Sequence, residues 1–456
     1  MQQSRDEKLG TMPIPKLMLS LAIPSVIAQL INVLYNIVDR MYIGHIADIG
    51  HIALTGVGLT FPVIMIISAF SAFIGAGGAP LAAIALGKKD KERAEKILGN
   101  GTTVLFCFSV ILTIFFLIFK RPLLYMFGAS DETIVYAINY ISIYLLGTIF
   151  VQFALGLNMF ISSQGQARTA MLSVLIGAVI NIVLDPVFIF ILHMGVQGAA
   201  LATIISQACS AVWVVNFLCS SRSAIRIRRK HLLPEWNIIK SVMSLGISPF
   251  IMQATESAIT IVLNSGLQTY GGDLYVGSMT ILQSVMQLVC TPINGFTQGI
   301  QPIISYNFGA RKYDRVKKTY RLTIAITFTV ATIFCLCTVN CPTLFARIFT
   351  TNNELISLVG KVMPVFMAGV WIFGIQMGCQ TTFMGLGQAK ISLFIALLRK
   401  VFLLIPLAII LPNFFGVMGI YYAEPISDIT AATTAGIIFL TVRKKIVSDE
   451  ALKKIK

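Results

Sequence analysis

At 456 residues, with 56% hydrophobic and only 12% charged side chains, the chain is too apolar for a soluble domain. Its net charge of +16 lies in short connections between apolar runs, which argues against nucleic-acid binding and for basic loops that set membrane topology. The eight cysteines fall mostly within apolar runs without zinc-type spacing and read as packing residues, and the four histidines form no cluster, so no metal centre of that kind is indicated.

The first apolar run, from Leu17, leads straight into polar membrane positions, so no cleavable signal is indicated. Twelve apolar helices are predicted, near 16–43, 52–85, 97–119, 133–156, 168–192, 196–219, 240–267, 275–306, 319–341, 355–382, 390–411 and 415–441. Most are long enough to cross a ~30 Å hydrocarbon core. Residues 1–219 form a first half of six spans and 241–456 a second, joined by a basic linker over 220–240 that holds Arg222, Arg226, Arg228, Arg229 and Lys230. Basic residues also crowd the connections after spans 2 and 8 and the tail from Arg443, whereas the other side offers only Lys120, Arg121 and Arg347. That asymmetry predicts a multi-pass protein of the inner or plasma membrane with both termini cytoplasmic.

The two halves repeat at an offset of about 222 residues. Ala85-Leu86-Gly87 with its basic loop returns as Asn307-Phe308-Gly309, and Gly165-Gln166-Ala167-Arg168 returns as Gly387-Gln388-Ala389-Lys390. Further on, Gly195-Val196-Gln197-Gly198 and Ala202-Thr203 match Gly416-Val417-Met418-Gly419 and Ala423-Glu424. With six spans in each copy the repeats run in the same direction, related by an axis along the membrane normal, with the cleft between them.

Polar residues inside the spans mark the chemistry, because a charge at mid-membrane costs about 2.5–3.5 kcal/mol on insertion scales. Asp39 lies towards the outer end of span 1 and Asp185 within span 5, where Asn181 shares its helical face. Asn158 closes span 4 and Thr203 sits in span 6. Two carboxylates, amides and a hydroxyl offer hard oxygens to a small cation, and two neighbouring acids can equally share a proton. Asn181 and Thr203 would by themselves be ordinary interhelical hydrogen-bond partners, and Asp39 an outer ion pair with Arg40. Asp185 has no basic neighbour in sequence, and Pro186 could break the helix there or merely kink it. Pro24 weakens span 1, and the glycines at 75, 77 and 78 with Pro80 make span 2 bendable or closely packed, the latter being favoured.

The second half carries different groups. Leucines stand opposite Asp39 and Asp185, while Glu256 lies in span 7, Gln283, Gln287, Gln298 and Gln301 in span 8, and Gln376 and Gln380 in span 10. In span 11 Lys400 is expected to snorkel and Arg399 to face a cavity or to neutralise Glu256. Glu256, Gln283, Gln287, Gln376 and Arg399 are thus candidates for lining a substrate cavity.

These residues resemble a family. Leu34-Tyr35-Asn36-Ile37-Val38-Asp39, Ala85-Leu86-Gly87 with its loop, Asn181-Ile182-Val183-Leu184-Asp185-Pro186 and Glu424-Pro425-Ile426-Ser427 are together similar to the multidrug and toxic compound extrusion (MATE) transporters, in the bacterial MepA-like branch, over nearly the whole chain. The resemblance implies an all-α integral membrane fold with two six-helix lobes in a V of the MATE/MOP type. It implies export of amphipathic or cationic drugs and dyes by alternating access, in antiport with H+ or Na+ and without a further cofactor. It also implies an amino-lobe cation site at Asp39, Asn158, Asn181, Asp185 and Thr203, with Na+ possible at Asp39, Asn181, Asp185 and Thr203, and conformational roles for Pro24 and Tyr35 in helix 1. Other branches use an acidic pair in the carboxyl lobe; here span 10 offers only glutamines beside Glu256, which favours the amino lobe.

Rival readings include a passive channel, which export against a gradient would exclude. A lipid-linked oligosaccharide flippase of the same superfamily would usually show fourteen spans and a strongly cationic cavity, against twelve spans and only Arg399 and Lys400 here. An intramembrane aspartyl protease would need Tyr-Asp and Gly-x-Gly-Asp, where this chain has Val38-Asp39 and Leu184-Asp185. A non-enzymatic transporter of small molecules, working as a monomer in the bilayer, is the expectation.

Overall fold

The computed structural model describes residues 7–46, 50–350 and 352–454. Among them, eleven helices are long and apolar enough to cross a bilayer, and a bent pair supplies a twelfth span. In chain order they are α1 (Ile14–Gly44), α2 (Ile52–Gly87), α3 (Lys91–Met126), α4 (Thr133–Leu146 with Thr148–Ser163), α5 (Ala167–Ile191), α6 (Gly195–Cys219), α7 (Trp236–Gly271), α8 (Leu274–Gly309), α9 (Tyr313–Asn340), α10 (Asn353–Gly385), α11 (Ala389–Phe415) and α12 (Val417–Ile446). Most run a few residues past the apolar stretch. At α3, for example, Asp90 accepts a hydrogen bond from the Arg93 amide at 3.0 Å, so the basic loop already forms the first helical turn. Lys120 and Arg121, expected in a connection, lie inside α3, and Lys120 donates to Ser142 Oγ of α4 at 2.6 Å.

Several spans depart from a straight α-helix. α4 bends by 62° at Gly147, which lies so close to the Ile204 side chain of α6 that a Cβ would meet it at 2.5 Å. In α5, Pro186 does not break the helix. A wide π turn over Val187–Ile191 absorbs its missing amide, with Leu192 N donating to Val187 O at 2.9 Å. Further π segments lie over Phe153–Leu157 in α4 and Leu398–Leu404 in α11, the latter carrying Arg399 and Lys400. α1 runs unbroken through Pro24.

The duplication reaches down to backbone angles. Lys89 and Arg311, at matching points of the two basic loops, both have positive φ (62° and 58°), and so do Gly165 and Gly387 (77° and 68°). α1 packs on α5 and α5 on α6 in the first half, while α10 and α11 pack on α12 in the second. The halves meet where α2 crosses α7 and α1 crosses α8. Gly77 of α2 abuts the backbone of Val242 and Gly246, and its repeat counterpart Gly299 of α8 abuts Leu21 and Ala22, each too closely for a side chain. Close packing, rather than bending, is therefore the use of this glycine.

Beside these crossings Gln29 Nε2 donates to Gln298 Oε1 at 3.0 Å, and Phe250 of α7 meets Phe70 and Phe73 of α2 with ring centroids 5.0 and 5.2 Å apart. The contacts continue to the face that carries both chain ends. There, a short helix over Glu7–Thr11 lies on the second half: Leu9 O accepts from Asn307 Nδ2 at 2.9 Å and Arg315 Nη2 at 3.1 Å, and Gly10 O accepts from Lys312 Nζ at 2.8 Å. A closing helix over Asp449–Lys454 reaches back, with Leu452 O accepting from Lys88 Nζ at 3.1 Å.

The connection between the halves is shorter than the expected 220–240, because α7 already begins at Trp236. It is strapped to the first half. Gln164 Oε1 accepts from Ser223 Oγ at 2.9 Å and from Ala224 N at 2.7 Å, Arg228 pairs with buried Glu95 at 2.6 Å, and Asn100 Oδ1 accepts from Glu235 N at 2.5 Å.

Candidate functional site

Asp39 and Asp185 come together where α1 packs on α5. Each carboxyl group lies within electrostatic reach of the other. Asp185 has no solvent exposure, and Asn181, one turn earlier, donates from Nδ2 to Asp185 Oδ1 at 3.2 Å. Asp39 Oδ1, Asp185 Oδ2 and Asn181 Oδ1 are all buried with no hydrogen-bond partner. Three unpartnered oxygens on adjoining helices are costly unless a proton or cation serves them. The donor set of two carboxylates and an amide carbonyl suits either. Among the described residues no group of three or more His, Cys, Asp or Glu exists that could hold a metal ion, so a bound Na+ would rest on mixed oxygen donors.

Aromatic residues surround the pair. Tyr35 of α1 lies within electrostatic reach of both acids, and Tyr140 of α4 lies near Asp39 and Thr203 of α6. Tyr140 and Tyr144 stack with centroids 6.2 Å apart. Thr203 Oγ1 donates to Ala199 O at 3.0 Å, so it borders the cluster through Tyr140. A small crevice of about 20 Å³ opens beside the site, bounded by Asn32, Tyr35, Ser173, Ser206, Gln207 and Ser210 among others. The two tyrosines of α4 were not foreseen; their i, i+4 spacing within an apolar span was the available signal.

Asn158 is not part of this cluster. Its Nδ2 donates to Ala170 O at 3.2 Å, at the opposite end of α5, about 22 Å along the helix axis from Asp185. Sequence places Asn158 on α4 but does not say which end of α5 it faces; the short turn between the two helices decides that. Pro24 lies on the α1–α8 seam rather than at the acids, next to Ser25, whose carbonyl contacts Gly295.

The second half holds a separate set of charges. Arg399 Nε pairs with Asp428 Oδ1 at 2.6 Å, Arg399 Nη2 pairs with Glu424 Oε1 at 3.0 Å, and the guanidinium lies over the Phe373 ring at 4.5 Å. Arg399 therefore neither pairs with Glu256 nor stands free in a cavity. Lys400, expected to snorkel, is buried and pairs with Glu256, with Met252 O accepting a second bond at 2.9 Å. The π turn of α11 accommodates this, letting neighbouring residues face inward to α12 and α7 respectively. Gln283 and Gln287 keep solvent contact, whereas Gln376 is buried with Oε1 unpartnered, and Gln380 is tied to Ser248 and Ser392.

The MatE family profile matches residues 24–187 and 249–410, one segment in each half. The chain belongs to this family, the multidrug and toxic compound extrusion transporters. It is 27% identical over 439 residues to the multidrug export protein MepA of Staphylococcus haemolyticus, covering 96% of this chain and 95% of that one. With MepA of Staphylococcus aureus (strain N315) the identity is 26% over 440 residues, covering 96% of each. Among solved structures, an outward-facing multidrug resistance MATE transporter of the MOP superfamily superposes with a TM-score of 0.88 at 26% identity over the full length of both chains. A MOP superfamily transporter from Pyrococcus furiosus, described as having a binding pocket of reversed polarity, gives 0.89 at 26% identity over 99% of each. A MATE structure in complex with MaD3S gives 0.88 at 26% identity over the full length of both chains. The MATE fold of two six-helix lobes is thereby established for this multi-pass membrane protein.

Proposed function

We propose that the protein exports amphipathic, often cationic compounds in exchange for H+ or Na+, by alternating access between the lobes. The observation that carries the coupling reading is the buried Asp39–Asp185 pair with Asn181, whose three unpartnered oxygens can take up one positive charge. The lobe contacts support an outward-facing state if the face carrying both chain ends is cytoplasmic, as the basic loops suggest. The plasma membrane of a bacterial cell is then the location, with residues 1–219 and 241–456 as the moving lobes.

Cargo cation and drug would compete through charge. With Asp39 and Asp185 ionised, the amino lobe attracts a cationic substrate. Neutralising them from outside removes that attraction and permits α1, weakened at Pro24, to repack against α5. The cation must bind the two states with different affinity for any drug to be driven. For an uncharged drug, one coupling charge moving inward at 100 mV supplies about 2.3 kcal/mol, roughly a fiftyfold gradient; a one-for-one exchange with a monocationic drug is electroneutral and is driven by the ion's concentration gradient alone. Glu256, Gln283 and Gln287 remain candidates for substrate contact on the carboxyl lobe.

The test is dye efflux from proteoliposomes with pH and Na+ gradients imposed separately. Efflux should follow at least one gradient in wild type and neither in Asp185→Asn. Gradient-driven efflux of wild-type rate in that variant would remove the coupling role of the pair.

A further inference from the structure

Arg399, Glu424 and Asp428 form a closed unit of unequal charge, one guanidinium against two carboxylates, inside the carboxyl lobe. Asp428 is 1% exposed and its Oδ2 has no partner, although Oδ1 is held by Arg399. Glu424, one turn earlier on α12, shares the same guanidinium and is 7% exposed. The other groups within electrostatic reach are Cys290 on α8, Glu256 on α7 and Lys400 on α11, and the last two already neutralise each other. The surplus carboxylate is therefore not balanced by any of these neighbours. A lone buried anion in a membrane protein is too costly to leave unserved.

We propose that the Glu424–Arg399–Asp428 unit is a second proton-binding site, in which the surplus carboxylate takes one exchangeable proton at Asp428 Oδ2. A proton, rather than an organic cation, fits because the free acceptor, Asp428 Oδ2, is enclosed between α10 and α12, where Gly369 contacts the Asp428 Cβ and Pro425. Arg399 fixes both acids through separate nitrogens, so loss of the proton leaves the geometry held and only the charge changed. The site is separate from Asp39 and Asp185, and Glu256 takes no part in it. Binding of the proton stands apart from the exporter reading; its use in transport rests on that reading.

Infrared difference titration of the full-length protein in lipid vesicles tests this, comparing wild type with Asp185→Asn, Asp428→Asn and Glu424→Gln. The expected result is a protonated-carboxyl signal that survives Asp185→Asn and is lost in both carboxyl-lobe variants, since removing either acid leaves a balanced one-to-one pair. The same signal persisting unchanged in Asp428→Asn and Glu424→Gln would overturn the proposal. If Asp428→Asn does not assemble, Glu424→Gln carries the same comparison alone. No drug is added, so failure here is distinguishable from failure of the export reading, which the efflux assay addresses. A companion measurement of protons released on adding tetraphenylphosphonium should show a smaller release in Asp428→Asn than in wild type. An equal release would remove this site from the transport cycle.

Discussion

Gly87, at the end of α2, and Gly309, at the end of α8, stand backbone to backbone across the lobe seam. A Cβ on Gly87 would collide with Tyr306 O and Ala310 N, and one on Gly309 with Ile84 O. These glycines are the same position of the repeat, so one duplicated residue closes the seam against its own copy. Gly87→Val should destabilise the closed seam by about 1–3 kcal/mol, typical of overpacking. Distance measurements between spin labels on the α2–α3 and α8–α9 loops should show the separated population rise; an unchanged distribution would mean the seam yields without cost.

Asp185→Asn and Asn158→Ala should behave oppositely. The first removes one carboxyl of the facing pair and should reduce drug resistance of cells to the empty-vector level while expression stays normal. The second loses a single hydrogen bond to Ala170 O, worth about 1 kcal/mol of stability, and should leave export nearly intact. Growth assays at graded ethidium concentrations separate the two. Loss of export in Asn158→Ala at normal expression would return that residue to the coupling machinery.

Lys400 and Glu256 should be unequal partners. Lys400 is buried, whereas the Glu256 side chain is 61% exposed. Glu256→Gln strands a buried ammonium and should cost about 2 kcal/mol, below the 3–5 of a fully buried pair. Lys400→Met leaves a carboxylate that water can reach and should cost less. Thermal unfolding in detergent reads the order, and the reverse order would place the desolvated member of the pair wrongly.

Asn100 clasps the inter-lobe connection from both of its side-chain atoms, accepting from Glu235 N and donating to His231 O at 3.4 Å. Asn100→Ala should cost about 1 kcal/mol locally, through loss of its bonds to Glu235 N and His231 O. Limited trypsin digestion should cut at Arg226–Arg229 faster than in wild type. Equal cutting rates would show that the remaining anchors through Gln164 and Glu95 suffice.

The spans, their doubling and the shared face of Asn181 and Asp185 were legible because each rests on local pattern: apolar length, a fixed offset and i, i+4 spacing; that Asp39 belongs with Asp185 was implied only by the family resemblance. What escaped depends on which helix faces which. Asn158 could not be placed because sequence does not fix how far along its neighbour a side chain lies. The ion pairs of Arg399 and Lys400 were misassigned because a regular helix would not turn both side chains inward, and nothing local announces a π turn. Glu424 and Asp428 were the available signal that went unread. Two acids four residues apart in an apolar span, with Glu424 at the repeat position of Thr203, mark the α12 face where the second lobe placed its own charge.

The short helices at the two chain ends each clip across the seam, one onto Arg315 and Lys312, the other onto Lys88. A purification tag or fluorescent reporter fused at either end would load these contacts between the lobes. A label in a loop away from the seam leaves those bonds undisturbed.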